Sequence, residues 1–155
     1  GAGRPTATHL ADLREAAARF TEAVDAMPPH AWTVRVATPG GSRLAATIVW
    51  ARLREVEVHH VDLDAGYRTG DWPEAFGQRL LHEVATDLAG RADVPALLLR
   101  PDETGQVLTV GGPGGAPLTI GGPAHELAGW LCGRSPGTGL TVVPERPLPT
   151  PPAWV

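Results

Sequence analysis

The sequence predicts an α+β fold in which a helical front part precedes a small domain with a mostly antiparallel sheet. Two observations predict it. Apolar residues recur at three- and four-residue spacings up to about residue 65, whereas short apolar runs broken by glycine and proline follow residue 95. The change of pattern falls after Gly66 to Gly70. We therefore predict a helical domain over residues 1–68 and an α+β domain over residues 69–155.

Composition limits the classes of protein to which the chain can belong. It has 155 residues, 43% of them hydrophobic and 19% charged, which is typical of a globular protein of one domain or two small ones. A net charge of −4 argues against a nucleic-acid-binding face. A single cysteine excludes an internal disulfide, and neither a membrane span of ~18 apolar residues nor a signal peptide is visible. We expect a soluble, cytoplasmic protein.

The first helix is predicted by an apolar stripe and ended by two prolines. Its stripe consists of Leu10, Leu13, Ala17, Phe20 and Val24. The prolines are residues 28 and 29. The following segment, residues 30–46, has a turn signal at residues 39–41 and holds either a short hairpin or only a connection.

The next segment, residues 45–65, fits two periodicities. With period two, Val56 and Val58 point one way and the acids between them the other, as in a strand. With period 3.6, Val49, Leu53 and Val56 form an apolar stripe, and Gly66 supplies a stop. About twenty residues without a turn signal exceed a usual strand, which favours the helix.

A third helix is predicted over "DWPEAFGQRLLHEVATDLAGR". Asp71 and Glu74 have the spacing of a capping box, Pro73 suits the first turn, and Gly90 ends the helix. Its buried face is predicted from Leu80, Leu81, Val84 and Leu88.

The remaining chain predicts strands and one more helix. Strands are expected in "ALLLRP", "GQVLTVGG" and "PLTIGG". The glycine-rich residues 111–117 lack the Lys-Ser/Thr of a phosphate loop and are interpreted as a hairpin turn. A last helix runs from Pro123 to Gly133, and an extended proline-rich tail packs through Trp154.

The stretch "REVEVHHVDL", residues 54–63, carries the most chemistry. On a helix, Glu55 and His59 are four residues apart and share a face, so that both can reach one divalent ion such as zinc. Asp62 follows on that face and could orient His59. The competing interpretation is a polar stripe, and Glu57 with His60 forms a second possible pair, between which spacing does not choose.

Two residues near the end of the last helix are also candidates. Arg134 follows the Gly133 stop, where its guanidinium either binds a substrate carboxylate or satisfies the last carbonyls of the helix. Cys132 has no local base and is predicted to be a buried, inert thiol.

Two motifs together resemble a known family. The segment "RLREVEVHHVDLDAGYRTGDWP", followed by "ELAGWLCGRSPG", is similar to the mycothiol-dependent maleylpyruvate isomerases. The resemblance covers nearly the whole chain. It implies the last two helices of a DinB-like four-helix metal-binding bundle followed by the family's C-terminal domain, and it favours the helix for residues 45–65.

The resemblance also implies roles for particular residues. Glu55 and His59 match two of the family's ligands to a divalent metal, usually zinc, and Arg134 matches an arginine that closes on the active site. The family's first metal histidine lies in an earlier helix; nothing in "THLADL" matches that segment, so His9 does not receive the role. We expect residues beyond this sequence, a separate fragment or a second chain to supply the missing helices.

The resulting hypothesis is an enzyme with zinc and mycothiol as cofactors and a small-molecule acid as substrate. A metal-bound thiolate would add to the cis double bond of a maleyl-type acid, and rotation and elimination would release the trans isomer; related thiol transfer is possible on the same architecture. No residue is assigned to cofactor binding. The alternative is a non-catalytic small-molecule-binding module, with a cavity lined by Leu97, Leu99, Val110 and Ile120, or an inactive fragment with an incomplete metal site.

Overall fold

The computed structural model describes residues 3–151 and 153–154. It is an α+β fold with four α-helices and two sheets, as predicted. The chain divides into two compact units, up to and after Leu53, and the division falls within the second α-helix. This division does not test the domain boundary expected between residues 68 and 69, which stays a prediction.

The first unit contains helix α1, Thr6–Asp25, and a hairpin of strands β1, Arg35–Thr38, and β2, Gly41–Leu44. The strands are antiparallel, and Gly41 has a φ of 110°, so the turn signal at residues 39–41 forms a hairpin rather than a plain connection. None of the α1 residues is buried, and Leu13 is 58% exposed. The predicted apolar stripe of α1 is therefore only partly covered, since Phe20 and Val24 are half-buried and Leu10 is exposed.

Helix α2, Ala46–Asp62, confirms the helical interpretation of residues 45–65. Only its C-terminal half has buried residues, Val58 and Val61. The helix ends shortly before Gly66, whose φ of 99° is one that L side chains rarely adopt.

The second unit is built on helices α3, Glu74–Leu88, and α4, Ala124–Leu131, packed against a four-stranded sheet. The sheet comprises β3, Leu97–Pro101; β4, Leu108–Val110; β5, Leu118–Gly122; and β6, Thr141–Val143. Its order is β4-β3-β5-β6, with the central β3–β5 pair parallel and the two outer pairs antiparallel. The sheet is thus mostly antiparallel, as predicted.

Helices and sheet share one apolar core. Its fully buried side chains include Leu80, Leu81, Val84, Leu88, Leu97, Leu99, Val110, Ile120, Leu127, Trp130 and Leu131. Each contributes roughly 1.5–3 kcal/mol by leaving water. The predicted face of α3 is confirmed. The four strand residues that the alternative hypothesis assigned to a ligand cavity lie within this core, at 0% exposure.

Two local predictions were wrong. Asp71 and Glu74 form no capping box on α3, because the residue before Pro73 is held extended and α3 begins only after the proline; Asp71 instead accepts a hydrogen bond from the Arg68 N–H at 2.8 Å. Residues 111–117 are not a hairpin turn, since β4 and β5 both pair with β3 and not with each other. The tail predicted to be extended begins with residues of β6, and a strand is itself extended backbone.

Among the described residues, no helix is long and apolar enough to cross a membrane.

Gly111 offers a test of the junction between α3 and the sheet. Its N–H donates to the Leu88 carbonyl, its φ is 85°, and an added Cβ would lie 2.1 Å from the Pro95 carbonyl oxygen. We expect G111A to lower the free energy of unfolding by more than about 3 kcal/mol, because the backbone would have to move. G105A is the matched control: Gly105 also has a positive φ, 63°, but open space around it, and should cost only about 1–2 kcal/mol. Equal losses in urea denaturation would contradict this explanation.

Candidate active site

Glu55 and His59 lie on one exposed face of α2, one turn apart. The distance between Glu55 Oε2 and His59 Nε2 is 3.2 Å, and the two side chains are 53% and 61% exposed. Both therefore face solvent with their donor atoms close together, as the spacing predicted.

Asp62 determines which nitrogen of His59 carries a proton. Its Oδ2 lies 2.8 Å from His59 Nδ1. The hydrogen bond from Arg134 is the main reason that the pKa of Asp62 lies below its usual range; burial opposes it, and the hydrogen bond from His59 reinforces it. The carboxylate is therefore ionised at neutral pH and only accepts, which makes Nδ1 the donor. In the neutral imidazole, Nε2 then presents its lone pair to the Glu55 carboxylate.

Two facing acceptors repel each other unless a proton or a cation lies between them. The distance between these two atoms therefore tests whether a metal ion fits there. Ligands about 2.0–2.1 Å from a tetrahedral zinc stand roughly 3.3 Å apart, close to the 3.2 Å observed. The carboxylate and imidazole thus fit two positions of such a site. Within residues 3–151 and 153–154, no group of three or more His, Cys, Asp or Glu side chains could hold a metal ion. Glu55 and His59 as metal ligands stay a prediction.

Arg134 makes both kinds of contact that its position suggested, one with a carbonyl at the end of the helix and one with a carboxylate. Gly133, with a φ of 74°, ends the last helix, and the Arg134 guanidinium turns back to donate to the Cys132 carbonyl at 2.7 Å. Its Nε and Nη2 also bind the two oxygens of Asp62, each at 3.0 Å. The guanidinium does form a bidentate fork on a carboxylate, but that carboxylate belongs to this chain. Substrate binding by Arg134 stays a prediction.

These groups share one small pocket of about 50 Å³ in the second unit. It is lined by Arg54, Glu55, Val58, His59, Arg134 and Trp154. The Trp154 indole donates to Asp87 at 3.1 Å, and the Arg54 guanidinium lies 5.7 Å from its ring centre and pairs with Glu83. Sequence reasoning missed Arg54 and Trp154 as pocket residues. For Trp154 no local signal exists, because its partners lie 67 or more residues away.

Both members of the alternative pair, Glu57 and His60, are in contact with Tyr67. The Tyr67 hydroxyl donates to Glu57 Oε2 at 2.6 Å, and its ring stacks on His60 with 4.0 Å between centres. The Trp72 indole also donates to the Glu57 carbonyl at 3.2 Å. These contacts give the alternative pair a packing role, and neither residue lines the pocket.

Cys132 is buried, as predicted, and 4% exposed. Burial raises the pKa of its thiol to about 11. It is therefore a neutral thiol at physiological pH, and its contribution to the site is the carbonyl oxygen that accepts from Arg134.

Tyr67 is the single tyrosine of the chain, so its ionisation can be followed by absorbance. Burial, reinforced by Glu57, raises its pKa to about 12. The folded state therefore favours the neutral phenol, and stability is lost as the pH rises from about 10 towards 12. We expect little phenolate at pH 11 while circular dichroism shows an intact fold. E57Q should increase that fraction and E55Q should not. A largely ionised phenol in the folded wild type would contradict the geometry.

Comparison with known proteins agrees with the fold and the motifs. The family model for the mycothiol maleylpyruvate isomerase N-terminal domain matches residues 1–64, and that for the MDMPI C-terminal domain matches residues 71–153. A search of curated proteins finds no match.

Two solved structures are similar to the chain at a TM-score of 0.74 and 27% identity: the mycothiol-dependent maleylpyruvate isomerase and a histidine-to-alanine mutant of it. Each match covers 91% of this chain, which spans 58% of the length of the matched structure. The two domain matches and the structural similarity confirm the resemblance noted in the sequence, and the chain belongs to the mycothiol-dependent maleylpyruvate isomerase family.

Proposed function

We propose that this chain contributes the active site of a metal- and mycothiol-dependent isomerase that converts a cis maleyl-type acid, such as maleylpyruvate, into its trans isomer. The observation that carries the proposal is the chain of contacts from Glu55 through His59 and Asp62 to Arg134. It brings a two-donor cation position and a carboxylate-binding guanidinium to one pocket.

Glu55 Oε2 and His59 Nε2 would hold the metal, with zinc the best fit to one oxygen and one nitrogen donor. When bound, the metal would supply a lowered pKa for the cofactor thiol, so that a thiolate is available near neutral pH. The contribution of this chain is to orient the donors: Asp62 fixes the tautomer and ring angle of His59.

Arg134 would bind a carboxylate of the substrate. A guanidinium has five N–H donors, and its bonds to Asp62 and Cys132 use three, which leaves two without a partner among the described residues. Val58 and Trp154 supply the apolar side of the pocket. A substrate held through its carboxylate would present its double bond to the thiolate.

The reaction needs no oxidant. The thiolate sulfur adds to one carbon of the cis double bond, and the electron pair moves onto the conjugated carbonyl as an enolate. Rotation about the resulting single bond, followed by re-formation of the double bond and breaking of the carbon–sulfur bond, releases the trans acid and returns the thiolate. The same first step would serve thiol transfer to other electrophilic acids. A compartment that keeps small thiols reduced, such as the cytoplasm, suits this chemistry.

We also propose that further bundle helices cover α1 and supply the third metal ligand. The absence of any buried residue on α1, with Leu10 and Leu13 largely exposed, supports this. Such helices could belong to residues beyond this sequence, to a separate fragment or to a second chain. Intact mass and oligomeric state of the purified protein distinguish these sources.

Metal content tests the assignment of the ligands. After loading with Zn²⁺, E55A and H59A should lose bound zinc in elemental analysis and lose mycothiol-dependent isomerisation of maleylpyruvate. E57A and H60A are matched controls on the same helix and should keep both. Zinc retained in E55A and H59A would overturn the assignment. A wild type without zinc or turnover would favour the binding-module alternative.

Substrate affinity tests Arg134. R134A should raise KM for maleylpyruvate by about 10-fold or more, because a charged hydrogen bond contributes about 1.5–3 kcal/mol. R134K keeps the charge but loses the planar fork, and should recover only part of the loss. R68A, which removes an arginine paired with Asp64 outside the pocket, is the control. An unchanged KM in R134A would contradict a role in substrate binding.

A further inference from the structure

We infer that Asp62 is a positioning residue, one carboxylate that holds the imidazole of His59 and the guanidinium of Arg134 in fixed orientations toward the same pocket. The inference rests on the proposed function, since it concerns how the residues of that same site are held in place. The observation behind it is that Asp62 contacts both residues at once, at 2.8 Å to His59 and 3.0 Å to Arg134.

The oxygen atoms of Asp62 are divided between the two tasks. Oδ1 accepts from Arg134 Nε, and Oδ2 accepts from both Arg134 Nη2 and His59 Nδ1. Because Oδ2 is shared, any change in the orientation of the Asp62 carboxylate alters its bonds to His59 and to Arg134 together. Asp62 is the last residue of α2, whereas Arg134 follows α4, 72 residues later. The carboxylate therefore joins the two elements that bring the cation position and the arginine to the pocket.

The guanidinium is held from two sides, which determines the edge left for a ligand. Asp62 takes the edge formed by Nε and Nη2, and the Cys132 carbonyl takes one N–H of Nη1. An incoming carboxylate thus meets an arginine whose plane is already fixed, so that less side-chain entropy is lost on binding. Asp62 is a positioning residue in this account and does not touch the substrate.

A rival interpretation makes Asp62 an occupant of the arginine fork that a substrate must displace. The two interpretations predict opposite changes in KM. If Asp62 positions Arg134, its removal frees the guanidinium and raises KM; if Asp62 competes with the substrate, its removal lowers KM.

The experiment compares D62N and D62E with wild type in three measurements. Zinc affinity, from competition with a chelator, should fall about 10–100-fold in D62N. The Arg134 Nε–H signal in ¹⁵N NMR, assigned by its loss in R134K, should lose its protection from solvent exchange. With maleylpyruvate, mycothiol and saturating zinc, KM should rise. D62E keeps the carboxylate on a longer stem and should lie between D62N and wild type in all three.

D93N is the matched control, because Asp93 forms a similar bidentate pair with Arg91 and neither residue lines the pocket. It should leave all three measurements unchanged. Unchanged zinc affinity and NMR protection in D62N, or a lower KM, would overturn the positioning role. Zinc affinity and NMR protection need no turnover, so changes in D62N without isomerisation by wild type would sustain this inference while the proposed reaction fails. Thermal unfolding verifies that each variant is folded.

Discussion

The burial of α3 and α4 against the four-stranded sheet is the constraint on which the site depends. Trp130 and Leu131, at the end of α4, are almost completely enclosed, so the turn that follows has little freedom. That turn carries Arg134. The C-terminal half of α2 is tied to the same unit through the buried Val58 and through Arg54, which pairs with Glu83. The close-packed core thereby holds Arg134 next to the polar residues at the C-terminal end of α2, although the two segments are far apart in the sequence.

How much of this could be predicted from the sequence depends on the range of the interactions. Glu55 and His59 share a face because residues four apart lie one turn apart on any α-helix, so this feature was predictable. The bond between Asp62 and Arg134 was not, because it joins groups 72 residues apart whose meeting depends on how the sheet and helices pack. Position alone suggested that Arg134 could bind a carboxylate, but gave no indication that Asp62 would be one.

The errors and the unresolved choice have physical causes as well. The capping box failed because a proline restricts the residue before it, a steric effect that overrides the preference of Asp71 for a helix start. Spacing could not decide between the two acid–histidine pairs of α2. Tyr67 distinguishes them, since it bonds to Glu57 and stacks on His60, whereas the other pair stays exposed to solvent. The family relationship accounts for the architecture, whereas the contacts of individual side chains support the chemistry.

The enclosure of Cys132 has a consequence for the proposed reaction, which uses a small thiol. An accessible cysteine beside the pocket could exchange with an oxidised cofactor and form a mixed disulfide, which would block the entrance and pull on the backbone that holds Arg134. The single thiol of this chain is buried and protonated, so it neither attacks a disulfide nor yields readily to oxidants. In the proposed reaction, oxidants would then act on the thiol cofactor before they act on this chain, and reduction of the cofactor would be enough to restore the site.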